Sequence, residues 1–273
     1  MTLFNEDKLK PGAASRERGD GSSHKLVVRS SAYWREKKAV VARWWARIRG
    51  KEFRAKYSYA QSGEDIIVDY LFMWLGKRKI TYLDVGANDP IMMNNTYFFY
   101  KRKHRGVLIE PNPRLVRKIK RSRPRDVTIH AGVGMGSGGQ IPFFQMDPDT
   151  LSTSDPLKLS EYLRLGIKLK REYQVPLIGI NEVIERYFDS QAPDFLSIDV
   201  EGWDLEILKT LDLLKYRPVV ICVETITYSN RNTEQKVQDF AQYLSLHDYF
   251  SYADTYLNTI FVDKRVWDAR QRN

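Results

Sequence analysis

The stretch that most constrains this chain is Ile80-Thr-Tyr-Leu-Asp-Val-Gly-Ala-Asn-Asp89. Apolar residues alternate up to Asp84, and Gly86 and Asn88 follow, so the spacing predicts a buried strand ending in a turn that favours small residues. Such a turn leaves room for a ligand. Gly86 carries no Cβ, the flanking backbone N–H groups are expected to face outward, and the next helix would present its positive end, which suits a carboxylate, a polar sulfonium compound or a phosphate. Downstream, Gly106-Val-Leu-Ile-Glu110 repeats the theme of a short apolar strand with an acid at its C-terminal end, and Pro111-Asn112-Pro113 follows. An acid so placed commonly holds a ribose diol.

Composition sets the outer limits. The 273 residues, 42% hydrophobic with six Trp, suffice for one sizeable α/β domain and an appendage. The single cysteine, Cys222, excludes a disulfide framework and a thiolate metal cluster and fits a reducing compartment, so a cytoplasmic location is expected. No apolar run has membrane-spanning length, since Ile66 to Leu75 is short and broken by Asp69, and the N-terminal residues lack the apolar core of a secretory signal. The net charge of +10 is local: residues 1–56 hold 15 Lys and Arg against 6 Asp and Glu, a net of +9, and the rest is close to neutral at +1.

Four regions follow from these shifts: a disordered basic tail over 1–30, a basic amphipathic helix over 31–56, a folded domain over 57–265 and a C-terminal tail over 266–273. In the second, Trp34, Val41, Trp44, Trp45 and Ile48 recur near helical spacing among Arg and Lys. Such a helix could dock on an anionic membrane surface, at the inner face of the cell membrane, or on a partner enzyme; alternatively, it packs its tryptophans on the folded domain.

Within the domain, Ser62 and Asp65 predict a helix cap before Ile66–Leu75, and Asn94-Asn-Thr-Tyr-Phe-Phe-Tyr100 is expected to open a helix capped by Asn94 or Asn95. Strands are expected at 127–130, 141–146, 175–178, 194–200 and 217–224, with helices at 114–121, 181–188, 204–211 and 233–246 and a closing hairpin over 249–262. The glycine-dense run Gly132–Gly139 reads as a tight turn beside a strand, because no Lys-Ser/Thr follows to make a phosphate loop. Residues 147–173 read as a lid or binding loop with a mixed helical run to Tyr173. The alternation argues a mostly parallel, doubly wound α/β sheet, in which ligands bind beyond the carboxyl ends of the strands. Asp84, Glu110, His130, Asp199 with Glu201, and Glu224 all fall at or just past such ends.

Gln61-Ser-Gly-Glu-Asp65, Leu83-Asp-Val-Gly-Ala-Asn88, Asn95-Thr-Tyr97, Ile109-Glu-Pro-Asn-Pro113, Leu196-Ser-Ile-Asp-Val-Glu-Gly202 with Leu205-Glu-Ile-Leu208, and Val223-Glu224 together resemble the FkbM family of S-adenosylmethionine-dependent methyltransferases. The resemblance runs from about Tyr57 to Val262 in order, and Ser-Ile-Asp-Val-Glu-Gly is its most specific part. It implies a Rossmann-like class I methyltransferase fold, a seven-stranded sheet with its last strand antiparallel, and methylation of a hydroxyl on a sugar, glycan or related small molecule. It implies that Asp84, Gly86, Ala87 and Asn88 form the cofactor loop, that Glu110 takes the ribose hydroxyls, that Asn112 borders the adenine, and that Asn95 and Thr96 border the same pocket. His130 is a further candidate near the adenine.

Methyl transfer to oxygen needs an acceptor held in line and a base for its proton. Asp199, Glu201 and Glu224 are the candidate catalytic residues, acting as base or, together, holding a divalent cation; metal-free base catalysis is the preferred reading. Two other classes compete. A nicotinamide-dependent oxidoreductase would need the further glycines that Gly86-Ala-Asn-Asp-Pro90 lacks. A nucleic-acid-binding or RNA-modifying protein would draw on the basic extension, but a domain of net charge +1 offers no basic channel.

Overall fold

The computed structural model describes residues 56–200, 202–226 and 236–270. Along them run α1 (Glu64–Trp74), β1 (Thr81–Val85), α2 (Tyr97–Lys101), β2 (Arg105–Ile109), α3 (Pro113–Ser122), β3 (Val127–Ile129), β4 (Gly132–Gly134), β5 (Gln140–Asp147), α4 (Pro156–Arg164), β6 (Lys168–Gly179), α5 (Ile180–Tyr187), β7 (Phe195–Ile198), α6 (Asp204–Thr210), β8 (Val220–Glu224), α7 (Asp239–Leu246), β9 (Tyr249–Asp254), β10 (Asn258–Asp263) and α8 (Lys264–Ala269). The basic tail and almost all of the amphipathic helix expected before Tyr57 lie outside the described residues.

Seven strands share one sheet in the order β3-β2-β1-β7-β8-β10-β9. All pairings are parallel except those of β10, the last strand in the chain, which runs antiparallel to β8 and β9. This is the doubly wound, Rossmann-like α/β sheet with an antiparallel last strand. The chain leaves β1 for β2 on one side and returns as β7 on the other, so the strand order reverses at β1 and opens a crevice at its C-terminal end.

The alternation read along β1 sorts its side chains between two cores. Leu83 and Val85 join Val107, Ile109, Leu196, Ile198, Ile221 and Val223 on the face covered by α5, α6 and α7. Tyr82 joins Leu108, Phe195, Val220, Cys222 and Ile260 on the face covered by α1, α2 and α3. Each fully buried Leu, Ile or Val contributes about 1.5–3 kcal/mol relative to exposure, so the two faces together hold the sheet between its helical layers.

A second, three-stranded sheet, β4-β6-β5, is inserted between β3 and α5. Here the sequence reading needs correction. The segment up to Tyr173 is not helical after α4: β6 starts at Lys168 and pairs antiparallel with β5 from Asp147↔Lys168 to Gln140↔Pro176. Its outer half is solvated, which hid the apolar alternation a strand normally shows. Ser62 is not the cap of α1, whose N-cap is Gly63 at φ +89°; the Ser62 N–H instead donates to Glu64 Oε2 at 2.8 Å. The expected C-terminal tail begins inside α8, where Trp267 packs edge-on against Phe250 and Tyr252.

Candidate active site

The crevice at the end of β1 deepens into a cavity of about 590 Å³, within the range typical of small-molecule sites. Asp84, Gly86, Ala87, Asn88, Asn95, Glu110, Asn112, Asp199 and Glu224 all line it. Nine of the twelve residues singled out from sequence thus share one space. Thr96 stands behind the wall, fully buried, with its hydroxyl donating to Asp84 Oδ2 at 2.6 Å. His130 is exposed, with Nε2 2.9 Å from the Pro111 carbonyl, and is not part of the wall. Glu201 lies outside the described residues.

The turn after β1 departs from expectation in two ways. Its amides do not face outward: Gly86 N–H and Ala87 N–H both donate to the Ile109 carbonyl, at 3.0 and 3.1 Å, and Asn88 N–H donates to Glu110 Oε2 at 2.8 Å. The end of β2 therefore uses the donors that a ligand was expected to take. Nor does a helix begin there, since α2 opens only at Tyr97, and Asn94 Oδ1 accepts the N–H groups of Thr96 and Tyr97 at 3.0 and 2.8 Å. Gly86 is required for a different reason than ligand access. At φ +82°, a Cβ would lie 1.8 Å from the backbone oxygen of Asp199, so the residue lets the β1 and β7 turns close on each other. Asp199 N–H completes that contact by donating to the Val85 carbonyl at 3.0 Å.

Two buried acids stand at the ends of β1 and β2. Glu110 sits at the end of β2 with one oxygen on Asn88 N–H and the other on Asn112 N–H at 2.7 Å; burial outweighs those bonds and pushes its carboxyl up to about 7. Asp84 is held by Thr96 and by Asn94 Nδ2 at 3.2 Å. Burial raises its carboxyl as well, while the nearby Arg123 guanidinium and these two bonds pull the other way. Asn112 caps α3 through Oδ1, which accepts Arg114 N–H at 2.9 Å, and this leaves its buried Nδ2 without a partner beside the cavity.

The far wall is built by the turn after β7 and by the end of β8. Asp204, which the sequence reading passed over as the first residue of a helix, accepts the N–H groups of Val200 and Gly202 at 2.9 and 3.1 Å and so shapes the loop that carries Asp199. Its signal was an acid shortly after the Asp199-Val200-Glu201-Gly202 turn. Asn95 Nδ2 donates to Ser197 Oγ at 3.1 Å and reaches Cys222 Sγ at 3.8 Å, tying the wall to β7 and β8. Trp203, Ile226, Leu257 and Met92 add apolar surface. No group of three or more His, Cys, Asp or Glu among the described residues is placed to hold a metal ion.

The inserted sheet supplies the remaining side. Residues 149–154, within the stretch expected as a lid or binding loop, form a wall: Phe144 and Thr153 exchange two backbone bonds at 2.8 and 3.1 Å, and Ser152 Oγ accepts Met146 N–H at 3.1 Å. Asp149 is the tie-point, bonded by Gln145 Nε2 at 2.9 Å and paired with Arg114 and Lys170.

These donors and acceptors fit S-adenosylmethionine. Buried acids at β1 and β2 suit the α-ammonium of an amino acid end and a ribose diol, and the orphan Asn112 amide can serve a heterocycle. A comparison with curated proteins gave no match. Among solved structures, a TehB-like S-adenosylmethionine-dependent methyltransferase from Corynebacterium glutamicum is similar at TM-score 0.38 and 9% identity, over 87% of this chain and 99% of its own. A candidate O-methyltransferase from Klebsiella pneumoniae gives 0.37 and 9%, over 77% and 83%, and the precorrin-6y C5,15-methyltransferase of Geobacter metallireducens 0.33 and 14%, over 77% and 93%. The strand order, not these loose likenesses, carries the fold assignment. The family model described as the methyltransferase FkbM domain matches residues 84–251, from the acid at the end of β1 into β9. That match spans more than half of the chain, which therefore belongs to the FkbM family of S-adenosylmethionine-dependent methyltransferases.

Proposed function

We propose that the enzyme methylates a hydroxyl of a sugar, glycan or related small-molecule acceptor, with a strand-end carboxylate taking the proton. The observation that carries this reading is the shared cavity, which Asp199 and Glu224, from the ends of β7 and β8, line together with the buried pair Asp84 and Glu110. The cofactor supplies an electrophilic methyl group. The chain's own part is to hold the acceptor oxygen in line and to accept its proton as the bond forms, which positioned carboxylates do at a gain of about 10²–10⁴-fold. Trp203, Leu257 and Met92 offer apolar surface for the ring face of an acceptor, and Asp199, Glu224 and Asn95 offer groups for its hydroxyls. Neither rival class gains support: Arg114 and Lys118, the Lys and Arg lining the cavity among the described residues, are already paired with Asp149 and Asp89.

The same reading places the enzyme in the cytoplasm, with residues 31–56 docking it on an anionic membrane surface or a partner enzyme. Its supports are the single, buried, unpaired Cys222 and the local charge of +9. Among the described residues no helix is long and apolar enough to cross a membrane. The test of the activity is incubation with methyl-labelled S-adenosylmethionine and a panel of glycans, nucleotide sugars and free polyols, with the label then located by mass spectrometry. Label found on carbon or nitrogen, or on no hydroxyl compound at all, refutes the proposal.

A further inference from the structure

Behind Asn94 and Thr96, outside the lining of the cavity, lies a cation that the assignment of the site does not use. Arg123 follows α3 in a run of basic residues, Lys118-Ile-Lys-Arg-Ser-Arg-Pro-Arg125, yet its side chain is completely buried. Every arm of its guanidinium is engaged. Nε donates to Asp126 Oδ2 at 2.8 Å, Nη1 to Asn94 Oδ1 at 3.0 Å, and Nη2 to Thr96 Oγ1 at 3.0 Å and Tyr82 Oη at 3.2 Å. Asn94 and Thr96 are the two side chains that hold Asp84. The rings of Tyr82, Tyr97 and Tyr100 surround the guanidinium, with centroids 5.5, 6.0 and 5.3 Å away.

We propose that Arg123 is the positioning residue of the cofactor site, fixing both the direction and the charge of Asp84 through Asn94 and Thr96 without touching the ligand. The inference rests on the reading of Asp84 as a cofactor-binding acid. Orientation follows from connectivity: Thr96 can direct its proton to Asp84 because its oxygen accepts from Arg123, and Asn94 can point Nδ2 at Asp84 because its Oδ1 is held by Arg123 and the first amides of α2. Charge follows from a count of the groups facing the guanidinium. Asp84 and Asp126 share one buried cation, and Glu110 adds repulsion at Asp84 from β2. Arg125 lies over Tyr100 at 3.9 Å and donates to the Tyr100 carbonyl, outside this circuit. The α-ammonium of the cofactor's amino acid end would bring a further positive charge to this acidic pair. Burial raises the Asp84 carboxyl, and Arg123 is the foremost influence lowering it.

The test is calorimetric affinity for S-adenosylmethionine as a function of pH, in the full chain and in a Glu110→Gln background so that Asp84 titrates alone. Thr96→Val removes the relay but keeps the cation; affinity should fall about tenfold at pH 8, the size of one lost hydrogen bond to a charged group, with the pH midpoint moving upward by less than in Arg123→Met. Arg123→Lys keeps the charge but cannot serve Asp126, Asn94 and Thr96 at once, and a comparable loss is expected. Arg123→Met should move the midpoint for binding upward by a unit or more, because Asp84 must then ionise beside Asp126 with no cation. Wild-type affinity and midpoint in both Thr96→Val and Arg123→Lys overturn the proposal, whether or not Arg123→Met folds. Failure of the underlying site assignment looks different: Asp84→Asn would then bind as tightly as the natural chain.

Discussion

At the scale of single residues, the most testable property of the site is the state of Glu110. Its carboxyl titrates at about 7 in the folded protein, above the usual carboxylate range, because it is buried. Between those two values the folded state binds more protons than the unfolded one, so stability falls as pH rises through 7 and is higher on the acid side. Ribose hydroxyls donate to the ionised form, so cofactor affinity should change in the opposite direction and increase as pH rises from 6 to 8, with proton uptake by buffer on binding. Glu110→Gln should flatten both trends and weaken binding by about 1.5–3 kcal/mol; calorimetry in two buffers of different ionisation enthalpy measures it. At the ends of β7 and β8, Asp199→Asn and Glu224→Gln preserve shape but cannot take a proton. At least one should cut turnover by about 10²–10⁴ with cofactor affinity unchanged, and if both keep natural turnover on the true acceptor the base lies elsewhere. That Asp84, Glu110 and Asp199 line one cavity was legible in the sequence because each closes an apolar run, and such strand ends meet on one rim of a parallel sheet. Arg123 was not, because in a row of cations one buried guanidinium looks like its solvated neighbours.

At the scale of elements, the sheet was legible and its insertion was not. Strands such as Val220–Glu224 are buried on both faces and read as continuous apolar runs, whereas β6 is solvated over its first half and pairs only with β5 there. The amides after β1 were misjudged for a related reason: whether an N–H is free depends on register, and the Ile109 carbonyl that takes two of them belongs to a strand more than twenty residues away. The insertion nevertheless bears on function, since residues 149–154 close one side of the cavity. Asp149 ties that wall to α3, β5 and β6 through Arg114, Gln145 and Lys170, of which Arg114 and Lys170 are largely solvent-exposed. Such pairs are worth about 0–1 kcal/mol each. Asp149→Ala should therefore leave the melting temperature within a few degrees of the natural value while weakening the cofactor by roughly three- to tenfold. Limited proteolysis offers the check: cleavage within 147–155 should quicken in the variant and slow again on adding cofactor, and equal rates in both proteins would mean the wall does not depend on this tie.

At the scale of the whole molecule, the question is why a nearly neutral enzyme carries so basic an extension. Residues 56–273 form a compact unit with cores on both faces of its sheet, and their 30 Lys and Arg nearly balance 28 Asp and Glu. A chain beginning at Lys56 is therefore expected to fold alone with the melting temperature of the full chain. Attraction to an anionic surface is worth about 1 kcal/mol for each Lys or Arg brought near it, so an extension over residues 1–55 of net charge +8, interleaved with tryptophans, has ample means of holding the enzyme there. The full chain should sediment with vesicles containing phosphatidylserine and not with neutral ones, and half-molar salt should release much of it, because the screening length then falls to about 4 Å. The chain from Lys56 should stay in the supernatant throughout. A melting temperature lowered by ten degrees or more in the shortened chain would assign the tryptophans to packing instead, and sedimentation with neutral vesicles as efficient as with anionic ones would remove charge as the reason for the extension.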